Sequence, residues 1–139
     1  ALREMDALRF ADHPVTLLSS GERQRIILAR ALAQVWESDS ALLLLDEPTS
    51  HLDLTHGAMV LDVLSRTAAR AAVVAVFHDL TLAGSWCDRM ALLSGGRMVT
   101  AGRPEEVLRT DVLESVYGGR VQVAAHPVTG KPLVTPVVA

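Results

Sequence analysis

The chain has 139 residues, half of them hydrophobic and 21% charged, with a net charge of −3. That is enough for one globular domain with a real core, not a disordered chain, and the acidic balance leaves no electrostatic footprint for nucleic acid. The longest apolar runs, ALLLL (41–45) and AAVVAVF (71–77), fall far short of the ~20 residues that cross a bilayer. No charged-then-apolar N-terminal signal is present, so any membrane role is expected to go through a partner. The single cysteine, Cys87, cannot form an internal disulfide, which fits a reducing compartment.

ALREMDALRFA (1–11) spaces Leu2, Met5, Leu8 and Phe10 roughly as a helix does, and is taken as the tail of one, broken by DHP (12–14). Ser19 to about Trp36 reads as a helix. Ser19 and Glu22 form an S-x-x-E capping box, Leu28, Leu32, Val35 and Trp36 a buried stripe, and ESDS (37–40) the end. ALLLLD (41–46) is a continuous apolar run of strand length, expected to be covered on both faces. EPTSHLD (47–53) is a loop broken by Pro48, and a helix follows from about Leu54 to Arg70. AAVVAVFH (71–78) is a second buried strand. Strand, helix, strand predicts a βαβ unit with parallel strands and a right-handed crossover. A short helix, about Leu80 to Cys87, leads to a hairpin, RMALLSGGRMVTAG (89–102), turning at Gly95-Gly96. PEEVL, with Pro104 at its first position, and DVLESVY give two short helices. The tail VQVAAHPVTGKPLVTPVV (121–138) is expected to form two edge strands around a turn.

Acids, a histidine and a glycine fall at the ends of these elements, where a parallel α/β sheet gathers its ligands. Asp46 can hold Mg²⁺ through water, and Glu47 can orient an attacking water; alone, the pair could equally be solvated loop acids. His78 ends the second strand, as a phosphate contact or as a core or capping histidine. Ser19 and the N–H of Gly21 could meet a phosphate at a helix N-terminus, or Ser19 could simply cap its helix; the two do not exclude each other. Asp53 closes the loop, with a helix N-cap as its alternative. His51 and His56 fit no standard metal spacing and are taken as loop polarity, Cys87 as packing, and His126 as a surface or edge residue.

In this order the residues resemble the ATP-binding cassette (ABC) ATPases. LSSGE (18–22) looks like that family's LSGGQ signature, ALLLLDEP its Walker B strand with catalytic glutamate, SHLD (50–53) its D-loop and VFHD (76–79) its switch histidine. HDLTLAGSWCDRMALLSGGRMVTAGRPEEVL is similar to the importer ATPases for iron complexes and cobalamin, and HPVTGKPLVTP to the bacterial haem importers. Two positions depart from the signature. Ser20 replaces its first glycine and adds a β-carbon beside the phosphate site. Glu22 replaces its glutamine and is expected to point back to its own helix.

The resemblance implies an α/β P-loop NTPase fold with a mainly parallel sheet flanked by helices. It also implies a head-to-tail ATPase dimer that uses ATP and Mg²⁺ to drive transmembrane permease subunits. A periplasmic substrate-binding protein would serve them indirectly, nucleic acid would play no part, and the subunit would lie on the cytoplasmic face of the inner membrane. Asp46 would hold Mg²⁺, Glu47 polarise water and His78 sense the γ-phosphate. Asp53 would organise the loop across the dimer, while the signature residues Ser19, Ser20, Gly21 and Glu22 face the partner's ATP.

No G-x-x-x-x-G-K-[ST] cradle is present, since Lys131 is the only lysine and Pro132 follows it. The expectation is therefore the C-terminal part of such a domain. Residues 1–18 would be a remnant of the helical subdomain, 19–94 the signature, Walker B, D-loop and switch region, and 95–139 the hairpin, short helices and tail. Such a piece should not bind ATP alone and should expose apolar strand edges. ATPases of siderophore or cobalamin importers, or non-transport ABC ATPases, are the alternatives.

Overall fold

A computed structural model describes residues 1–38 and 40–137. Asp39, part of the helix-ending ESDS, and Val138 and Ala139, at the end of the predicted tail, lie outside the described residues. The chain divides into two compact units, Ala1–Val76 and Phe77–Ala139.

In the first unit, residues 1–11 do not form the expected helix tail. Residues 1–18 run through turns and two 3-10 turns, Leu8–Phe10 and Val15–Leu17. The reason is local: Asp6 takes φ 46°, a left-handed value that no α-helix can continue. Met5 and Ala7 are nevertheless buried. Helix α1 (Ser20–Val35) starts at Ser19, whose hydroxyl accepts from the Glu22 N–H while the Glu22 carboxylate accepts from the Ser19 N–H at 2.9 Å. Its buried face is Arg25, Leu28, Ala29 and Leu32. Val35 is only half-buried, and Trp36 is 43% exposed rather than part of the stripe. Trp36 is the C-cap, one step beyond the last full turn, and its ring carries the Arg70 guanidinium at 5.8 Å.

Strand β1 (Leu42–Asp46), helix α2 (Leu54–Ala68) and strand β2 (Ala72–Val76) make the expected βαβ order. The strands pair in parallel, from Leu42 opposite Ala72 to Asp46 opposite Val76. Helix α1 packs on β1, and α2 on β2. Burial of β1 alternates instead of being two-sided. Leu43 is buried, but Leu42 and Leu44 are 57% and 67% exposed, as are Val74 and Val76 beside them to a similar degree. Side chains alternate along a strand, and only one face of this pair is covered within the unit.

The second unit holds α3 (Leu80–Trp86), β3 (Met90–Ser94), β4 (Arg97–Gly102), α4 (Pro104–Val107), α5 (Thr110–Tyr117), β5 (Val121–Ala125) and β6 (Pro132–Pro136). The β3–β4 hairpin turns at Gly95 (φ 55°) and Gly96 (φ 73°), the positive values a tight hairpin turn demands. Its core is Leu92, Val107, Leu108 and Leu113. The tail pairs β5 with β6 antiparallel, and the Thr81 hydroxyl ties α3 to it, donating to the Val134 carbonyl and accepting from the Val134 N–H. His126 sits in the intervening turn, where Nδ1 accepts from the N–H groups of Val128 and Thr129. Phe77 and Trp86 rings meet at 5.7 Å, and burial pushes the Cys87 thiol up, in keeping with a packing role. Leu113→Ala should lower stability by about 2–5 kcal/mol, because it empties a fully buried position; urea unfolding of the full-length protein measures it.

Candidate active-site segment

The first unit brings the N-terminus of α1 against the loop that leaves β1. That loop, residues 47–53, holds two non-glycine residues in left-handed conformations. Glu47 holds φ 46° and His51 φ 63°, left-handed values that cost a non-glycine residue about 1–3 kcal/mol and persist only where neighbours enforce them. At Glu47 the neighbours are identifiable. Its N–H donates to the Val76 carbonyl at 3.0 Å. Its own carbonyl accepts from the Ser50 N–H at 3.1 Å and the Ser50 hydroxyl at 2.9 Å. Gln24 of α1 adds its carboxamide, with Nε2 donating to the carbonyls of Glu47 (3.3 Å) and Pro48 (3.4 Å).

Gly21 meets the same loop. A β-carbon at that position would lie 2.8 Å from the His51 carbonyl oxygen, so the approach needs glycine for want of space rather than for its φ. Ser20, beside it, is exposed at the first helical position. Glu22 points back to Ser19 as the capping box requires, with the Ser19 hydroxyl also 2.8 Å from its carboxylate. The Ser19 N–H holds the Glu22 carboxyl below its usual range.

Asp53 is the N-cap of α2. Its Oδ1 accepts from the His56 N–H at 2.9 Å, and its Oδ2 lies 2.8 Å from His56 Nδ1. The far nitrogen, Nε2, is 3.7 Å from Asp6, whose carboxylate also takes the buried Arg25 guanidinium at 2.9 Å. Arg25 donates to the Asp6 carbonyl as well, so this buried charge is paired and hydrogen-bonded. His56 thus has two carboxylate neighbours where the sequence suggested only loop polarity. The His56 N–H holds the Asp53 carboxyl below the ordinary 3.8, and the Arg25 hydrogen bond does the same for Asp6.

Lowered folded-state values set the sign of the acid response. These carboxylates stabilise the fold at pH above their unfolded values, and the contribution fades as pH falls through the lower folded ones. The melting temperature should therefore drop as pH falls below about 4. Asp53→Asn should flatten that drop, which a melting series from neutral to strongly acid pH would measure; an unchanged slope would remove Asp53 from the account.

Asp46 ends β1 with an exposed carboxylate. Among the described residues no cluster of three or more His, Cys, Asp or Glu could form a metal cage. A single hard oxygen donor fits Mg²⁺, which keeps most of its waters and takes the rest of its shell from phosphates. His78, in the second unit, is exposed in a bend before α3, and Asp79 caps that helix through the Leu82 N–H at 2.8 Å.

Sequence reasoning missed Gln24, Arg25, Asp6 and the second contact of His56. Only the His56–Asp53 pairing had a local signal, the three-residue spacing of an N-cap.

Residues 1–50 match the family model described as ABC transporter. The hemin import ATP-binding protein of Rhodococcus jostii is 48% identical over 137 residues, 98% of this chain and 46% of that protein. The cobalamin import ATP-binding protein of Halobacterium salinarum is 44% identical over 138 residues, 98% of this chain and 34% of that protein. The structure of a metal-chelate type ABC transporter in an inward-facing conformation superimposes with a TM-score of 0.76 at 26% identity, over 99% of this chain and 55% of that one. Fold and sequence together place the chain in the ABC transporter ATP-binding family, as a stretch of its α/β P-loop NTPase domain. Within the family it is similar to import ATP-binding proteins, and it spans about half the length or less of the relatives named here. Among the described residues no helix is long and apolar enough to cross a membrane.

Proposed function

We propose that the protein carrying this chain is the ATP-hydrolysing, energy-coupling subunit of an ABC importer, with haem as its cargo. The observation that carries the reading is the seating of the signature-like turn 19–22 on the acid-bearing loop 47–53, in a chain 48% identical to a hemin import ATP-binding protein.

The chain's own residues divide the work. Glu47, held in its left-handed conformation, presents a carboxylate to orient and deprotonate the attacking water. Mg²⁺, when bound, neutralises charge on the phosphates, and Asp46 would hold it through water. Ser19 and the Gly21 N–H offer the positive end of a helix to the γ-phosphate of ATP carried by a second, head-to-tail subunit. Ser20 and Glu22 shape that turn. Asp53 organises the loop that faces the second subunit. His78 contacts the γ-phosphate. Closing and reopening of the dimer would shift permease subunits between two access states, with a periplasmic binding protein delivering cargo. The subunit would sit at the cytoplasmic face of the inner membrane.

The test is reconstitution of the full-length protein with its permease in vesicles. ATP-dependent haem uptake is expected. Uptake of cobalamin but not haem would sink the cargo assignment, and turnover stimulated by DNA or ribosomes would sink the importer. Because the 139 residues contain no Walker A lysine, the chain by itself should show negligible ATP binding by calorimetry. Micromolar, Mg²⁺-dependent binding would overturn that expectation.

A further inference from the structure

Glu47 is the one proposed catalytic side chain whose backbone is strained, and the helix that holds it carries the signature-like turn. The carbonyl of Glu47 gathers donors from its own loop, the N–H and hydroxyl of Ser50, and one from outside it, Gln24. The Ser50 contacts close a local turn and move with it. Gln24 comes from another element and binds two successive carbonyls, Glu47 and the fully buried Pro48. A primary amide has two N–H groups on one nitrogen, so it can serve both. It fixes the direction of the Glu47–Pro48 peptide relative to α1, and so the base from which the Glu47 side chain departs.

We infer that Gln24 is a positioning residue: it locks the backbone of Glu47 onto the helix whose first turn carries Ser19 and Gly21. This rests on the function proposed above. In a head-to-tail dimer that first turn serves the ATP of the second subunit, while Glu47 serves the ATP of its own. Gln24 therefore links the two ATP sites through one chain. The two hydrogen bonds of Gln24 tie the backbone of the general base to the helix whose N-terminus faces the other site. Gly21 against the His51 carbonyl gives a second, steric point of contact between the same two elements.

Gln24→Met keeps length and bulk but removes both donors. In the full-length dimer kcat should fall about 10–10²-fold, as for a displaced catalytic group, with KM changed less than about twofold. A mixed dimer locates the effect. One protomer carries Glu47→Gln, so the remaining turnover uses the Glu47 of its partner and the signature turn of the Glu47→Gln protomer. Gln24→Met placed in the protomer with intact Glu47 should reproduce the loss. The same substitution in the Glu47→Gln protomer should cost little. Loss only in the latter arrangement would mean that Gln24 supports its own signature turn, and would overturn the inference.

Hydrogen exchange gives a readout independent of activity. The amides of Glu47 and Ser50 should exchange about tenfold faster in Gln24→Met, while the amides of α2 keep their rates. Unchanged exchange at both amides would overturn the inference even if turnover fell. A wild-type protein without ATP turnover would sink the functional reading alone, and the exchange rates would then decide the claim for Gln24.

Discussion

Glu47→Gln in the full-length protein is expected to lower Mg-ATP turnover by ~10²-fold or more, the effect of losing a general base, while nucleotide affinity stays nearly unchanged. The substitution keeps the shape of the side chain and removes its ability to take a proton. It also keeps every backbone interaction that fixes the residue: the N–H to Val76, the carbonyl to Ser50 and Gln24. A change of charge at one atom is thereby separated from a change of fold. Steady-state phosphate release and equilibrium nucleotide binding measure the two halves of the statement. Turnover within a few-fold of wild type would remove Glu47 from its role. Weakened binding with normal turnover would recast it as a ligand to the nucleotide.

Gly21→Ala is expected to damage both stability and turnover. Its new methyl would lie 2.8 Å from the His51 carbonyl oxygen and 3.6 Å from Leu52 Cδ2. The first distance is too short for a real carbon, and the obstacle is backbone, which cannot rotate away. His51 already sits at φ 63°, so the loop has little freedom left to yield. Overpacking of this kind costs about 1–3 kcal/mol. The strain falls on the segment between Glu47 and Asp53, so turnover should drop by about tenfold or more, the rate equivalent of 1.4 kcal/mol. Gly57→Ala is the control. A β-carbon there would meet nothing within 4 Å, so stability and turnover should stay near wild type. Wild-type behaviour of Gly21→Ala would show that the loop can move freely away from α1.

These two residues show what could be read locally and what could not. Glu47 was a candidate because an acid pair ends an apolar run, a pattern visible in six consecutive letters. Gly21 was a candidate for a different reason, as a phosphate contact, and the structure adds one the sequence does not hold: the carbonyl of His51, thirty residues away, occupies the space beside it. The helix α1, its capping box, the parallel β1–β2 pair and the β3–β4 turn were all legible, because each depends on periodicity or on a few neighbouring residues. Residues 1–11 carry helical apolar spacing yet form turns, because spacing alone cannot report a left-handed residue such as Asp6.

The sequence by itself determined the order of chemical groups: a capped helix with LSSGE, an apolar strand ending in Asp46 and Glu47, a loop closed by Asp53, a strand followed by His78. It also carried the resemblance to the family, since each motif is short and their order can be read along the chain. Only the tertiary structure decided how the groups are held. Gln24 reaches the Glu47 carbonyl across 23 positions, and Arg25 reaches Asp6 across 19. It also decided that one face of β1 and β2 is left uncovered by the unit that contains them. Such contacts join segments whose separation along the chain carries no period: the packing of α1 against β1 brings Gln24 to the Glu47 carbonyl, and the N-terminal turns meeting α1 bring Asp6 to Arg25.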